Sequence, residues 1–201
     1  MSTITDARTK RARTVLALVV GAVIVAAVVI WRASGQDAEV PYDDPQSGGL
    51  ITLCSEDGKA VTEGNVDDRP WADIVLGETA VPSELDANGA VATLFAYQPR
   101  EGIAASEFSG TPLTAAARLA GPDQAAARLT EDVWTIADFV SAFPADYDGY
   151  VQLRLYLGTP ETGTLSEDPY DTADLRVDGD RWELVRGGTA SCADADAALL
   201  P

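Results

Sequence analysis

Residues 14–31, TVLALVVGAVIVAAVVIW, run for eighteen positions without a charge or a proline. As a helix rising about 1.5 Å per residue, such a stretch is about 27 Å long, close to the roughly 30 Å hydrocarbon core of a bilayer. A segment of this kind is expected to span a membrane, and it divides the chain into two unequal sides. Arg8, Lys10, Arg11 and Arg13 precede it, Trp31 stands where an interfacial anchor belongs, and Arg32 closes it. Basic residues gathered on the N-terminal side hold that side in the cytoplasm. The expected product is a single-pass protein of the cell membrane with a cytoplasmic N-terminus and an extracytoplasmic C-terminal domain. The competing reading is a cleaved signal peptide, whose apolar region is usually about 7–15 residues and ends in a small-x-small site. Ala33-Ser34-Gly35 resembles such a site, but the length of the run and the intervening Arg32 favour an uncleaved anchor. A buried core helix is the plainest alternative, and the one-sided basic flank argues against it. No cysteine directly follows the run, so lipid anchoring has no support.

The two sides differ in charge. Residues 33–201 hold nine basic and 31 acidic side chains, a net −22. A surface of that sign repels phosphate backbones, which argues against nucleic acid as a partner. It suits a basic partner, although an acidic exterior also serves solubility alone. The two cysteines, Cys54 and Cys192, both fall on the expected exported side. An even count in an oxidising compartment predicts one disulfide between them; two free buried thiols are the alternative. Without histidine, two cysteines make no ordinary structural zinc site.

Along the chain, residues 1–13 form a basic cytoplasmic tip, 14–31 the transmembrane helix and 32–49 an acidic Pro/Gly linker. Residues 50–192 are expected to fold as one extracytoplasmic β domain, and 193–201 to form a frayed tail. Asp57-Gly58 and Asp178-Gly179 each sit between alternating apolar arms, a pattern that predicts two hairpins with type I′ turns. Residues 72–81 and 90–98 read as strands. In 150–157, Val151, Leu153, Leu155 and Leu157 alternate with Gln152, Arg154 and Tyr156, which predicts a strand buried on one face. Residues 111–120 and 123–129 have helix-forming composition. Residues 130–143 read either as a helix, with Val133, Ile136, Val140 and Phe143 on one stripe, or as a strand.

Under the strand reading, Phe143-Pro144, a short acidic loop and then Tyr150-Val151 resemble the corner of immunoglobulin-like and fibronectin type III sandwiches. There a tyrosine opens a strand and its hydroxyl ties the corner back to the backbone. Arginine outnumbers lysine twelve to two, and with the abundant Ala, Asp and Gly this usage resembles proteins of high-GC bacteria. As a whole the chain resembles actinobacterial single-pass surface proteins. The resemblance implies a mainly β fold: an immunoglobulin-like β-sandwich outside the membrane, preceded by one N-terminal transmembrane helix.

Catalytic constellations are scarce. The absence of histidine removes Ser-His-Asp, Cys-His and HExxH chemistry. Gly58-Lys59 is followed by Ala60, so no phosphate-binding loop forms, and no G-x-S-x-G elbow occurs. Close acidic pairs recur at Asp43-Asp44, Asp67-Asp68, Asp146/Asp148, Asp178/Asp180 and Asp194/Asp196. Calcium needs six to eight oxygens, and none of these pairs extends into an EF-hand loop. Two carboxylates meeting in space would suffice for glycoside hydrolysis. The aromatics Trp71, Trp134, Trp182, Tyr97, Tyr147 and Tyr150 read as core or corner residues. The expected function is therefore non-enzymatic, a cell-surface interaction or structural module. No catalytic residue, metal ligand or small-molecule cofactor is assigned, and the partners are the bilayer and another surface protein. A calcium-dependent binder or a carboxylate-based hydrolase of envelope glycan is the alternative.

Overall fold

The computed structural model describes residues 39–200. The expected membrane helix and its flanks Arg8, Lys10, Arg11, Arg13, Trp31 and Arg32 lie outside the described residues. Among the described residues, no helix is long and apolar enough to cross a membrane.

This part of the chain is mainly β. In chain order its strands are β1 (Ser47–Cys54), β2 (Glu63–Asn65), β3 (Ile74–Gly77), β4 (Val91–Gln98), β5 (Ser109–Pro112) and β6 (Ala117–Arg118). They continue as β7 (Ala126–Arg128), β8 (Tyr150–Thr159), β9 (Gly163–Thr164), β10 (Tyr170–Asp178) and β11 (Arg181–Arg186). Two short helices, α1 (Ser83–Ala87) and α2 (Ile136–Ala142), interrupt them. The strands run β5-β4-β8-β10-β1-β3-β7, and β11 and β2 extend from β10.

The sheet forks at β10. On one edge it pairs in parallel with β1 over Tyr170–Thr172 and antiparallel with β11 over Asp174–Asp178. β1 serves both branches: its first half lies on β10, and Ile51–Cys54 pair with β3. Room at the fork comes from glycine. A Cβ at Gly49 or Gly77 would overlap the Asp171 carboxylate, which is buried between them and held by the Thr79 N–H at 3.0 Å and by the Thr79 hydroxyl.

The apolar face of β8 reads as its alternation predicts. Val151, Leu153 and Leu155 pack with Leu94, Ala96, Ala173, Leu175 and Trp182 into one core with Ile51, Leu53, Leu76 and Phe139. The second hairpin also forms, with Val177 opposite Trp182 and Leu175 opposite Leu184. Its turn is shifted by one residue. Gly179 alone has positive φ, at 61°, and it is the first central residue, as in a type II′ rather than a type I′ turn. In the first hairpin the chain turns at Asp57-Gly58 with positive φ at Gly58 alone, so this is not a type I′ turn either. The second arm meets β1 at Ala60, bridged to Cys54, and at Val61, whose N–H donates to Leu53, before it pairs with β11 as β2.

Several expectations are corrected. The Ala-rich stretches 111–120 and 123–129 contribute β5, β6 and β7 instead of helices. Ala125–Ala127 are buried against β3, where small side chains fit an edge strand, and this packing outweighs propensities of tenths of a kcal/mol per residue. Residues 136–142 are helical, so the corner leading to Tyr150 is entered from a helix. Thr135 caps α2 and shares a reciprocal capping box with Asp138. Ile136 and Phe139 form the buried stripe of α2, together with Val133 just before it. Residues 193–200 do not fray. Ala195 is buried, and the Ala120 and Leu200 N–H groups donate to Ala198 and Arg118, covering the edge beside β6. The linker likewise ends earlier than position 49, because Val40–Gln46 pack on the sheet.

Cys54 and Cys192 form the expected disulfide, 138 positions apart and buried, joining the end of β1 to the segment after β11. Replacing both by serine should lower unfolding free energy by about 5 kcal/mol, the chain-entropy value for a loop of this length. Urea denaturation of the two forms measures it. A difference below about 1 kcal/mol would mean that the unfolded chain is already held compact without the bond.

Candidate functional site

The polar face of β8 is not solvated. Gln152, Arg154 and Tyr156 are buried, as are Tyr170, Thr172 and Asp174 opposite them on β10. Strand pairing puts these residues on one side, since directly opposed residues share a face. Phe95 and Tyr97 of β4 join them by the same rule.

Two chain segments cover this face. One is Val40–Gln46, an extended strap in which Val40, Tyr42, Asp44 and Gln46 turn inward while Pro41, Asp43 and Pro45 are exposed. The other is the loop after β4, which contributes Ala105 and Phe108. The strap is held by side chains more than by backbone. The Tyr42 hydroxyl donates to Asp174, whose other oxygen accepts from Arg186 Nε at 2.6 Å. Asp44 accepts from the Tyr170 hydroxyl at 3.0 Å and lies 3.7 Å from Arg154 Nη2. Outside these, Tyr147 donates to the Pro41 carbonyl at 2.9 Å and the Tyr170 N–H to the Gln46 carbonyl at 3.2 Å.

Arg154 is the centre of the face. Its Nε donates to Gln152 at 2.7 Å and its Nη2 to the Ala105 carbonyl at 2.8 Å. The guanidinium lies 4.1 Å from the Tyr97 ring centroid and 4.8 Å from that of Tyr170. Cation–π contact of this kind gains strength when it is dry. Tyr42 packs edge-on against Phe108 and Tyr150, and Tyr156 leans on Tyr170 at 4.6 Å. Two cations, Arg154 and Arg186, thus face two carboxylates, Asp44 and Asp174, within a shell of aromatic rings.

Burial pushes the Asp174 carboxyl above its ordinary value of 3.8, against the pull of Arg186 and the Tyr42 hydrogen bond. Burial, and then the Asp174 charge, push the Tyr42 phenol far upward, so Tyr42 stays protonated and remains the donor. Burial likewise raises Asp171. Chemically the arrangement is a network of buried ions in which each carboxylate meets a guanidinium and a tyrosine hydroxyl, while Gln152 Nε2 and Arg186 Nη2 are buried without a hydrogen-bond partner among the described residues.

The outer side of the strap and the loop after β4 bound a cleft of about 530 Å³, lined among others by Pro41, Asp43, Arg100, Ile103, Ser106 and Tyr147. Sequence reasoning did not single out Arg154, Asp44, Tyr42 or Asp174 as a group. The available signal was an arginine within a clean alternation, flanked by glutamine and tyrosine, and an alternating Tyr-x-Asp just before the first strand.

The residues that were singled out are dispersed. Cys54 and Cys192 meet in the disulfide. The acidic pairs do not converge. Asp44 is drawn into the network, Asp68 accepts from the Asn65 N–H, and Asp196 pairs with Arg128. Among the described residues, no group of three or more His, Cys, Asp or Glu side chains is placed to hold a metal ion. Trp71 and Trp182 are core residues in edge-on contact, whereas Trp134 is exposed. The Tyr150 ring packs on Tyr42, and it is Tyr147 whose hydroxyl reaches back to the backbone. No protein-family model matches this chain, nor does any curated protein or solved structure.

Tyr42→Phe keeps the ring and removes the donor to a buried carboxylate, and it should cost about 1–3 kcal/mol by urea denaturation. Tyr147→Phe, at the half-buried end of the strap, should cost less. Asp174 also predicts a pH effect. Between 3.8 and its raised value the folded state keeps a proton that the unfolded chain has released, so this residue's contribution falls as pH rises through that window. Asp174→Asn should flatten that part of the stability profile, and an unchanged slope would show that Arg186 and Tyr42 fully offset the burial.

Proposed function

We propose that the chain is a membrane-anchored extracytoplasmic protein, non-enzymatic, whose outer domain acts as an interaction or structural module at the cell surface. The observation that carries this reading is the buried Cys54–Cys192 bond, which ties the first strand of the domain to its last segment. Such bonds persist in oxidising compartments and are rare where thiols are kept reduced. The apolar run at 14–31, with its one-sided basic flank, supplies the anchor and the orientation. Support for the interaction role comes from the interior. Asp44, Asp171, Asp174 and Arg154 are committed to the fold's own contacts, which leaves the outer surface to meet other molecules. The immunoglobulin-like part of the reading rests on the sequence resemblance around Phe143-Pro144 and Tyr150-Val151 and on the mainly β content. Its departure is that the segment before this corner is helix α2 and not a strand.

Lysine placement allows a direct test. The chain holds two lysines, Lys10 before the apolar run and Lys59 in an exposed turn after it. A membrane-impermeant amine reagent applied to intact cells expressing the full chain should modify Lys59 and spare Lys10 until the cells are permeabilised. Modification of Lys10 alone would reverse the topology, and protection of both would place the domain inside.

A further inference from the structure

We propose that Trp134, with the exposed carboxylates of its own and the adjoining segment, forms a docking surface for an arginine- or lysine-rich segment of another protein. This names the partner class of the interaction module and rests on that reading. Trp71 and Trp182 are 4 % and 1 % exposed, whereas Trp134 is 42 % exposed. Its outward position is built in. The Trp134 carbonyl accepts from Trp71 Nε1 at 3.2 Å, the next residue, Thr135, is the cap of α2, and on the other side the Val133 N–H donates to the Thr130 carbonyl at 3.0 Å, so the backbone is held on both sides. The indole therefore meets a partner with little ordering cost, a property of aromatic anchors at interfaces.

The surroundings decide which partner. Residues 66–71 run beside residues 131–138. The Ala137 N–H donates to the Val66 carbonyl at 2.9 Å, and Arg69 reaches the Glu131 carbonyl at 3.1 Å and Asp138 at 2.5 Å. Asp67, Asp68, Glu131 and Asp132 are all exposed on these two segments, and none of the four is in a salt bridge among the described residues. Arg69 is matched by Asp138, so the patch keeps the charge of four carboxylates. The cation–π contacts among the described residues are those of Arg154, so no arginine of the domain occupies the indole face. An exposed indole with four unpaired carboxylates on its own and the adjoining segment is complementary to guanidinium and ammonium groups, which gain from both. Neither cavity beside the strap includes these residues. The patch is an open surface, suited to a polypeptide more than to an enclosed small ligand. Its charge repels phosphate-bearing surfaces of nucleic acid and anionic lipid.

The test uses the full chain in neutral detergent and a fluorescein-labelled nine-residue peptide of alternating arginine and glycine, read by anisotropy. Trp134→Ala should weaken binding about fivefold, the range of an exposed to partly dry cation–π contact. Trp134→Phe should lie between the two, and Asp67→Asn, Asp68→Asn, Glu131→Gln and Asp132→Asn together should weaken binding further and reduce its salt dependence. Neutralising four exposed acids elsewhere, by Glu84→Gln, Asp86→Asn, Glu161→Gln and Asp168→Asn, should leave most of the binding. Equal affinity for wild type and Trp134→Ala, or an equal loss in the control variant, would overturn the proposal and leave only diffuse attraction to an acidic protein. Urea midpoints of each variant separate loss of the surface from loss of the fold. Lys59 labelling is independent of this outcome, so a failed surface and a failed topology are told apart.

Discussion

Arg154 lies in the middle of a sheet with water excluded from its guanidinium, and much of the domain is arranged so that this charge is answered. Taking an ion out of water costs several kcal/mol even after relaxation, and removing one partner of a buried pair typically costs 3–5 kcal/mol. Gln152, the Ala105 carbonyl, Asp44 and two tyrosine rings meet that demand from five separate parts of the chain. Asp174 makes the same demand on the neighbouring strand, opposite Gln152, and Tyr42 and Arg186 meet it. Residues 40–46 are therefore part of the fold. Without them one face of the main sheet would present buried-type charges and aromatic rings to water.

The second constraint is the fork at β10. A strand paired with β1 over one half and β11 over the other leaves backbone groups and volume to reconcile where the two partners separate. Asp171 and Asp174 stand on either side of that point. Asp171 takes up the Thr79 N–H where β1 and β3 leave the plane, and Gly49 and Gly77 make room for it. Asp174 occupies the register shift with β11. The disulfide then joins the far end of β1 to the chain beyond β11, so both branches of the fork are linked covalently. The interaction surface proposed at Trp134 stands on the same frame, since Trp71, which orients it, packs on Trp182 of β11.

Much of this fold was legible in local pattern. The alternation in 150–157, the arms around Gly179 and the pair of cysteines led to β8, the β10–β11 hairpin and the disulfide, because each depends on neighbours in sequence or on a count of two. Where the reading failed, distant contacts decided. Ala126 and Ala127 have helical composition but lie in a strand against β3, and the arm after Gly58 left β1 for β11. Gln152, Arg154 and Tyr156 looked solvent-facing because a period of two reports that two faces differ, and is silent on whether a later layer covers the polar one. The candidate site was missed for that reason: its members stand at 42 and 44, 154, 174 and 186, and no spacing relates the first pair to the other three.

By itself, then, the sequence determined the β character of the domain, the apolar face of its central strand, the cysteine pairing and the sign of the surface, since these follow from composition and from periods of a few residues. Tertiary structure alone decided that Tyr42 and Asp44 belong to the domain, that the polar face of β8 is buried, and that Trp134 is exposed while Trp71 and Trp182 are not. Burial of a charge or an indole depends on which remote segments arrive to cover it. That arrival is settled by the summed desolvation and pairing of groups more than a hundred positions apart, and local pattern carries no record of it.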